Sequence, residues 1–287
     1  MSTMISFSNA ELNNFLSPEE IKKSCPMAFA TSPTNKVSNK YVQATTYNVI
    51  EDMAKLGWFP VRAKQCRNKK NSSGIRSFHM VAFQNPDIKI TKIDDNGNKI
   101  VDAFPQIILT NSHDGFNSFK FMLGCFRMVC SNGITICNNQ MVNMSIRHIN
   151  YDFEELRKVI NSAIKEVPNI VNTMNKMRGI TLTEKQKIEL ATEVVKIRKG
   201  IEEDEKVEID NEIIEDILTP VREEDKAMDL WTIFNICQEK MIKGGFNYRG
   251  TKDKMRKQRA ITSIKKDIDF NQRLWLKATK FISVTNN

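Results

Sequence analysis

Two short clusters in this chain bring chemically versatile side chains close together. Asn111-Ser112-His113-Asp114-Gly115 sets an imidazole beside a carboxylate, a pairing suited to acid–base work. Cys130 ends the next apolar run, and a thiol served by a histidine base is a nucleophile pattern. His113, Cys125, Cys130, Cys137 and His148 are also zinc-binding types, but no C-x-x-C pair exists, so no metal and no cofactor is expected. A structural reading competes with the catalytic one. Asn111 and Asp114 can bond nearby backbone and Gly115 permits positive φ, which makes a self-satisfied turn between two buried strands. The catalytic candidates His113, Asp114 and Cys130 rest on sequence proximity alone, and the balance is against an enzyme. Arg127 interrupts the apolar run Phe119–Val129. A half-buried guanidinium needs a carboxylate, carbonyl or phosphate, and Asp114 is the expected partner. Ser131-Asn132-Gly133 reads as the turn that closes this stretch.

Positive charge gathers in two places. Lys64, Arg67, Lys69, Lys70 and Arg76 occupy the tip of an expected hairpin formed by 58–66 and 75–83. Arg249, Lys252, Lys254, Arg256, Lys257 and Arg259 form a second group, continued by Lys265 and Lys266 and accompanied by Phe246 and Tyr248. Cations with aromatics suit single-stranded nucleic acid, where bases stack and phosphates pair. The competing readings are a solvated surface and two core aromatics. Net charge is +7 over residues 1–150 (17 basic, 10 acidic), −7 over 151–230 (13 and 20) and +9 over 231–287 (13 and 4). No GxxxxGK[ST] or GxGxxG loop appears, which argues against a nucleotide-hydrolysing site. Glu19-Glu20, Glu154-Glu155 and Glu223-Glu224 read as helix starts or surface, not as a nuclease pair.

The elements that must carry these groups follow from hydrophobic period. Tyr41–Thr46 reads as a short strand, Thr46–Leu56 as a helix ended by Gly57, and Ile88–Val101 as a hairpin turning at Asn96-Gly97. Phe104–Cys137 supplies two apolar runs, and Gln140–His148 one more strand. From Tyr151 the period is helical. Phe153 starts a helix that reaches Gly179 past Pro168, and Thr183 with Gln186 makes a capping box for the next. Asn211–Leu218, Ala227–Lys243 and Asp269–Phe281 follow as helices. The expected class is α+β: a β-rich N-terminal body with one or two helices, followed by an all-helical C-terminal half. The expected divisions are an N-terminal arm (1–40), a β-rich core domain (41–150) and a helical region packing on or beside it (151–287).

The 287 residues are 40% hydrophobic and 27% charged, which fits a soluble globular protein. No apolar run approaches the roughly 20 residues that span a bilayer, and the N-terminus lacks a secretory pattern. A cytoplasmic protein with no membrane contact is expected, and its six cysteines read as buried thiols.

Several motifs together resemble a family of phage- and plasmid-encoded proteins catalogued as a domain of unknown function. They are 57–63 (GWFPVRA), 111–115 (NSHDG), 124–133 (GCFRMVCSNG), Arg147-His148, 229–235 (DLWTIFN), Gln238-Glu239, Gly244-Gly245, and Asn271 with Leu274-Trp275. They span about Tyr41 to Phe281 in order. The resemblance implies mobile-element biology in a bacterial host and assigns no catalytic residue. The leading expectation is a non-enzymatic phage or plasmid protein that binds DNA, single-stranded for preference, in replication or recombination. The alternatives are a host-interaction or anti-defence protein and an enzyme using His113, Asp114 and Cys130. A homo-oligomer is compatible with each.

Overall fold

A computed structural model describes residues 3–6, 15–30, 44–66, 78–94, 96–112, 118–127, 132–135, 145–147, 151–202, 205, 209–249 and 255–284 (the backbone alone at 3–6, 132–135, 247, 249, 255 and 284). The N-terminal half holds strand β1 (Thr3–Ser6), helices α1 (Pro18–Ser24) and α2 (Thr46–Lys55), and strands β2 (Phe59–Gln65), β3 (His79–Gln84), β4 (Lys89–Ile93), β5 (Lys99–Asn111), β6 (Phe119–Arg127), β7 (Asn132–Thr135) and β8 (Ser145–Ile146). The C-terminal half holds helices α3 (Phe153–Arg178), α4 (Glu184–Lys199), α5 (Asn211–Leu218) and α6 (Leu230–Lys243). A short hairpin of β9 (Asn247–Arg249) and β10 (Met255–Lys257) then precedes helix α7 (Ile264–Val284). The expected α+β class is what the chain forms, with that hairpin added to the helical half.

Every pairing in the sheet is antiparallel, and β5 is its spine. One edge of β5 pairs with β6 from Ala103 to Thr110. A strand has only two edges, so β4 and β3 share the other: β4 takes Lys99 to Ala103, and β3 takes Gln106 to Asn111. Pro105, with no N–H to donate, falls in the gap between them. The sequence reading divides this stretch into a hairpin and a later strand, but a single strand runs through Pro105. β1 extends the sheet beyond β4, and Ile21, Cys25 and Ala28 enter the core, so the first forty residues contribute a strand and core side chains.

Cap chemistry accounts for the start of α2. Thr45 and Asn48 form a reciprocal capping box, and the expected helix begins at Thr46; of the expected strand Tyr41–Thr46, the described residues 44–46 form no strand. Thr183 and Gln186 cap α4 as expected, and Ser17 with Glu20 does the same for α1. α3 runs unbroken through Pro168. α7 begins at Ile264, earlier than its apolar period suggests. Within the expected strand Gln140–His148, only Ser145–Ile146 is a strand among the described residues.

Alternation along the central strands loads both faces of the sheet. Val81, Phe83, Ile107, Leu109, Phe121 and Leu123 enter the main core, which is continuous with α3, α4, α6 and the C-terminal part of α7. Met80, Ala82 and Ile108 point the other way and are covered by Ile264 and Ile268 of α7. The near-continuous apolar runs are thus those of strands buried on both sides. α6 is buried on almost its whole circumference, as befits a central helix.

Buried ion pairs tie sheet to helices. Arg127 on β6, 2% exposed, donates from Nη1 to Oδ1 of Asp225 at 3.2 Å, and Asp225 is equally buried. Asp225 Oδ2 accepts from Arg222 at 3.0 Å, and Arg222 makes a bidentate contact with Glu239 of α6 at 2.6 and 2.7 Å. Lys243 also pairs with Glu239. Asp102 of β5 pairs with Arg178 of α3 and lies 3.8 Å from Lys92. The partner found for Arg127 is therefore a carboxylate from the helical half, and the expected partner Asp114 lies outside the described residues.

Replacing Asp225 with Ala leaves Arg127 buried without its carboxylate, while Arg222 keeps Glu239, and is expected to cost about 3–5 kcal/mol in urea unfolding. Arg127→Met, which leaves Asp225 to Arg222, is expected to cost less. Burial raises the Glu239 pKa, but the hydrogen bonds and charges of Arg222 and Lys243 outweigh it and hold the carboxyl below its usual 4.5. Its stabilisation is therefore present above that value and lost as pH falls through the lower folded one. Glu239→Gln should be less stable than the parent at neutral pH, with the gap in urea midpoint closing under acid.

Candidate functional site

The second face of the sheet gathers cations that sequence distance keeps apart. On β2, alternation sends Arg62 and Lys64 to the face of their cross-strand partners Ala82 and Met80. On β6, Phe119, Phe121 and Leu123 go to the main core, which leaves Lys120 and Met122 on that same second face. Register then lines up Lys64, Met80, Thr110 and Lys120 across four strands. At the usual strand spacing the end residues of this row are about 14 Å apart at the backbone.

α7 lies across the row. Ile264 and Ile268 seat its first turns on Met80, Ala82 and Ile108. Lys265, one residue from Ile264, holds its ammonium 4.9 Å from the centroid of the Phe78 ring. A cleft of about 300 Å3 remains beside the helix, bordered by Phe78, Thr110, Lys120, Met122, Lys265 and Gln272. Its walls are part apolar and part cationic, and Ser118 and Asp269 also reach it.

A buried relay fixes α7 over this face. Gln238 of α6 donates to Asn271 Oδ1 at 2.9 Å, and Asn271 donates to Asp267 Oδ1 at 2.7 Å. Gln238 and Asn271 are fully buried. Asp267 in turn faces Arg62 and Lys64. Burial pushes the Asp267 carboxyl up, while Arg62, Lys64 and the Asn271 hydrogen bond pull it down. Burial likewise pushes Arg62 down against the pull of Asp267. The arrangement offers Lys120 and Lys265 to an anion, with Arg62 and Lys64 partly answered by Asp267.

Lys64 thus meets the C-terminal segment through Asp267 of α7. Arg256, Lys257 and Arg259 are exposed on and after β10. The backbone of Arg249 pairs with Met255, and that of Asn132 and Gly133 with Arg127 and Phe126. The β9–β10 hairpin is held at the end of α6 by Gly245 N–H to Gln258 O (2.9 Å) and Gln258 N–H to Phe246 O (2.8 Å). Gly244 has φ +67°, and a Cβ there would lie 2.6 Å from Gln258 O, so the close approach requires glycine. Of the accompanying aromatics, Phe246 is a core residue and Tyr248 packs against the core. Arg67, Lys69, Lys70, Arg76, Lys252 and Lys254 lie outside the described residues, as do His113, Asp114, Gly115 and Cys130.

Asn111 has a structural place. Its Nδ2 donates to Thr46 Oγ1 at 3.0 Å, and Thr46 Oγ1 lies 2.8 Å from His79 Nε2, all three residues being buried. Burial pushes the Cys25 and Cys237 thiols up to about 12, so neither offers a thiolate at neutral pH. Among the described residues no three His, Cys, Asp or Glu side chains converge as a metal site. Sequence reasoning missed Lys120, whose signal is its place between Phe119 and Phe121: where both neighbours face the core, it cannot.

Asn271→Ala is expected to leave Gln238 without its acceptor and Asp267 without its donor, at a cost of about 1–3 kcal/mol in thermal or urea unfolding.

Comparison with known proteins places the whole arrangement in a recognised group. The family described as Domain of unknown function (DUF932) matches residues 34–275, which takes in β2 to β10 and α7 as far as Trp275. The chain is 28% identical over 272 residues to the UPF0380 protein YafZ of Escherichia coli (strain K12), covering 93% of this chain and 92% of that one. It is 27% identical over 271 residues to the UPF0380 protein YfjQ of the same organism, with the same coverage. No solved structure matches. With most of its length matched by one family, this chain belongs to the Domain of unknown function (DUF932) family.

Proposed function

We propose that this protein binds nucleic acid without catalysing a reaction, and that the cleft beneath α7 is where it holds the sugar–phosphate chain. The observation that carries the reading is that Lys120 and Lys265, from a strand and a helix remote in sequence, line one cleft with Phe78, with Lys64 in the same cross-strand row as Lys120. A positive row beside an aromatic ring suits a single strand, whose phosphates pair while a base can stack. Phe78 takes the stacking role that the sequence offers to Phe246 and Tyr248, because the core claims Phe246 and packs against Tyr248. Arg256, Lys257 and Arg259 extend the positive surface on the hairpin before α7. DNA is the expected polymer, and replication or recombination of a phage or plasmid in the bacterial cytoplasm is the expected setting. That setting rests on the motif resemblance. The enzyme alternative rests on His113, Asp114 and Cys130, which lie outside the described residues.

Fluorescence anisotropy with labelled single- and double-stranded oligonucleotides tests the reading. Affinity should fall steeply between about 50 and 200 mM salt. Lys120→Glu and Lys265→Glu should each weaken binding about tenfold, and Lys120→Ala should reduce the single-strand salt slope by about 0.7 if it meets one phosphate. Asp267→Asn, which removes a carboxylate facing Arg62 and Lys64, should strengthen binding. No binding to either oligonucleotide at low salt would overturn the proposal.

A further inference from the structure

A second surface has the opposite character. Among the described residues five large hydrophobic side chains are exposed: Ile100, Ile188, Val221, Met228 and Leu276. Two of them, Ile188 (47%) and Met228 (48%), line a groove of about 570 Å3 between α4 and α5, and Val221 (59%) is next in sequence to Pro220, which also lines it. Ile214, Leu218 and Ile233 continue the apolar lining. The fold does not need these side chains exposed. α4 buries Leu190, Ala191, Val194 and Val195 in the core, and Ile188 lies off that stripe. Met228 is fixed by its backbone, whose carbonyl accepts from Leu182 N–H at 3.0 Å, while its side chain stands in the groove. Clustered apolar side chains of this kind mark contact surfaces.

The surrounding charge is negative. Glu184, Glu212, Glu215, Glu223 and Glu224 are all exposed on the elements that form the groove and its margin. Two of these are paired, Glu184 with Lys187 (which also bonds the Met228 sulfur) and Glu223 with Lys226, so the negative margin is carried by Glu212, Glu215 and Glu224. Asp225, at the floor, has its oxygens taken by Arg127 and Arg222. An apolar floor with an acidic margin repels nucleic acid and complements an amphipathic helix whose apolar stripe is flanked by Lys and Arg. We infer that this groove docks a basic amphipathic helix of a protein partner. Its apolar side chains, spaced at i, i+3 or i+4, and i+7, would meet Ile188, Leu218 and Met228. The inference does not depend on the cleft beneath α7, which uses other elements.

Two designed helical peptides with one shared leucine stripe test it on the full chain, one flanked by Lys and Arg, the other by Glu. The basic peptide should bind in anisotropy titrations and weaken with salt, and the acidic one should not bind. Ile188→Glu with Met228→Glu should cut affinity at least about tenfold. Glu212→Lys with Glu215→Lys should shift preference toward the acidic peptide. All four side chains are well exposed, so unchanged circular dichroism and melting confirm that the variants fold. Equal binding of the two peptides, no binding of the basic one, or parental affinity in the Ile188/Met228 variant would overturn the inference. So would a dimer in sedimentation that the same double substitution dissolves, since that would assign the groove to a second copy of this chain.

Discussion

Arg127 is a guanidinium 2% exposed at the end of a sheet strand, and much of the fold answers it. A buried cation without a counter-charge costs several kcal/mol, more than most single contacts return. Asp225 supplies that counter-charge from the loop between α5 and α6, and Arg222 and Glu239 extend the pairing into α6. α6 is the helix around which α3, α4, α5 and α7 pack. One electrostatic requirement on the sheet thus fixes where the central helix sits, and with it the rest of the helical half. Asp102 with Arg178 repeats the device between β5 and α3.

The second constraint is that the sheet has two apolar faces. The main core satisfies one. The other is covered by the first turns of α7, held in place by the relay from Gln238 through Asn271 to Asp267. Cover by a single helix is partial, and Lys120 and Lys265 line the margin it leaves, with Lys64 at the far end of the same row. The candidate cleft is therefore a by-product of packing geometry: it exists because α7 crosses the face without filling it.

The two surfaces of interest differ in charge as the sequence segments do. The basic body and tail meet at the cleft, and the acidic middle forms the groove of α4 and α5. The two proposed sites would take ligands of opposite charge, each repelling the other's ligand.

Local chemistry was legible in the residues. Caps at Ser17 and Thr183, the helical period after Tyr151 and the alternation around Val61 act within a few positions of themselves, so the sequence by itself determined most elements and the α+β class. It also showed that Arg127 needed a partner and that two basic segments existed. The partner's identity was not legible, because Asp225 is far along the chain and an ion pair leaves no periodic trace. Lys120 was overlooked inside an apolar run, since its exposure depends on which face of the sheet α7 leaves open. The positions of Phe246 and Tyr248 also turned on tertiary packing, which drew the first into the core. Secondary structure follows from neighbours in sequence. The cleft, the groove and the ion pairs follow from which faces are left over once the helices have packed, and that only the folded chain decides.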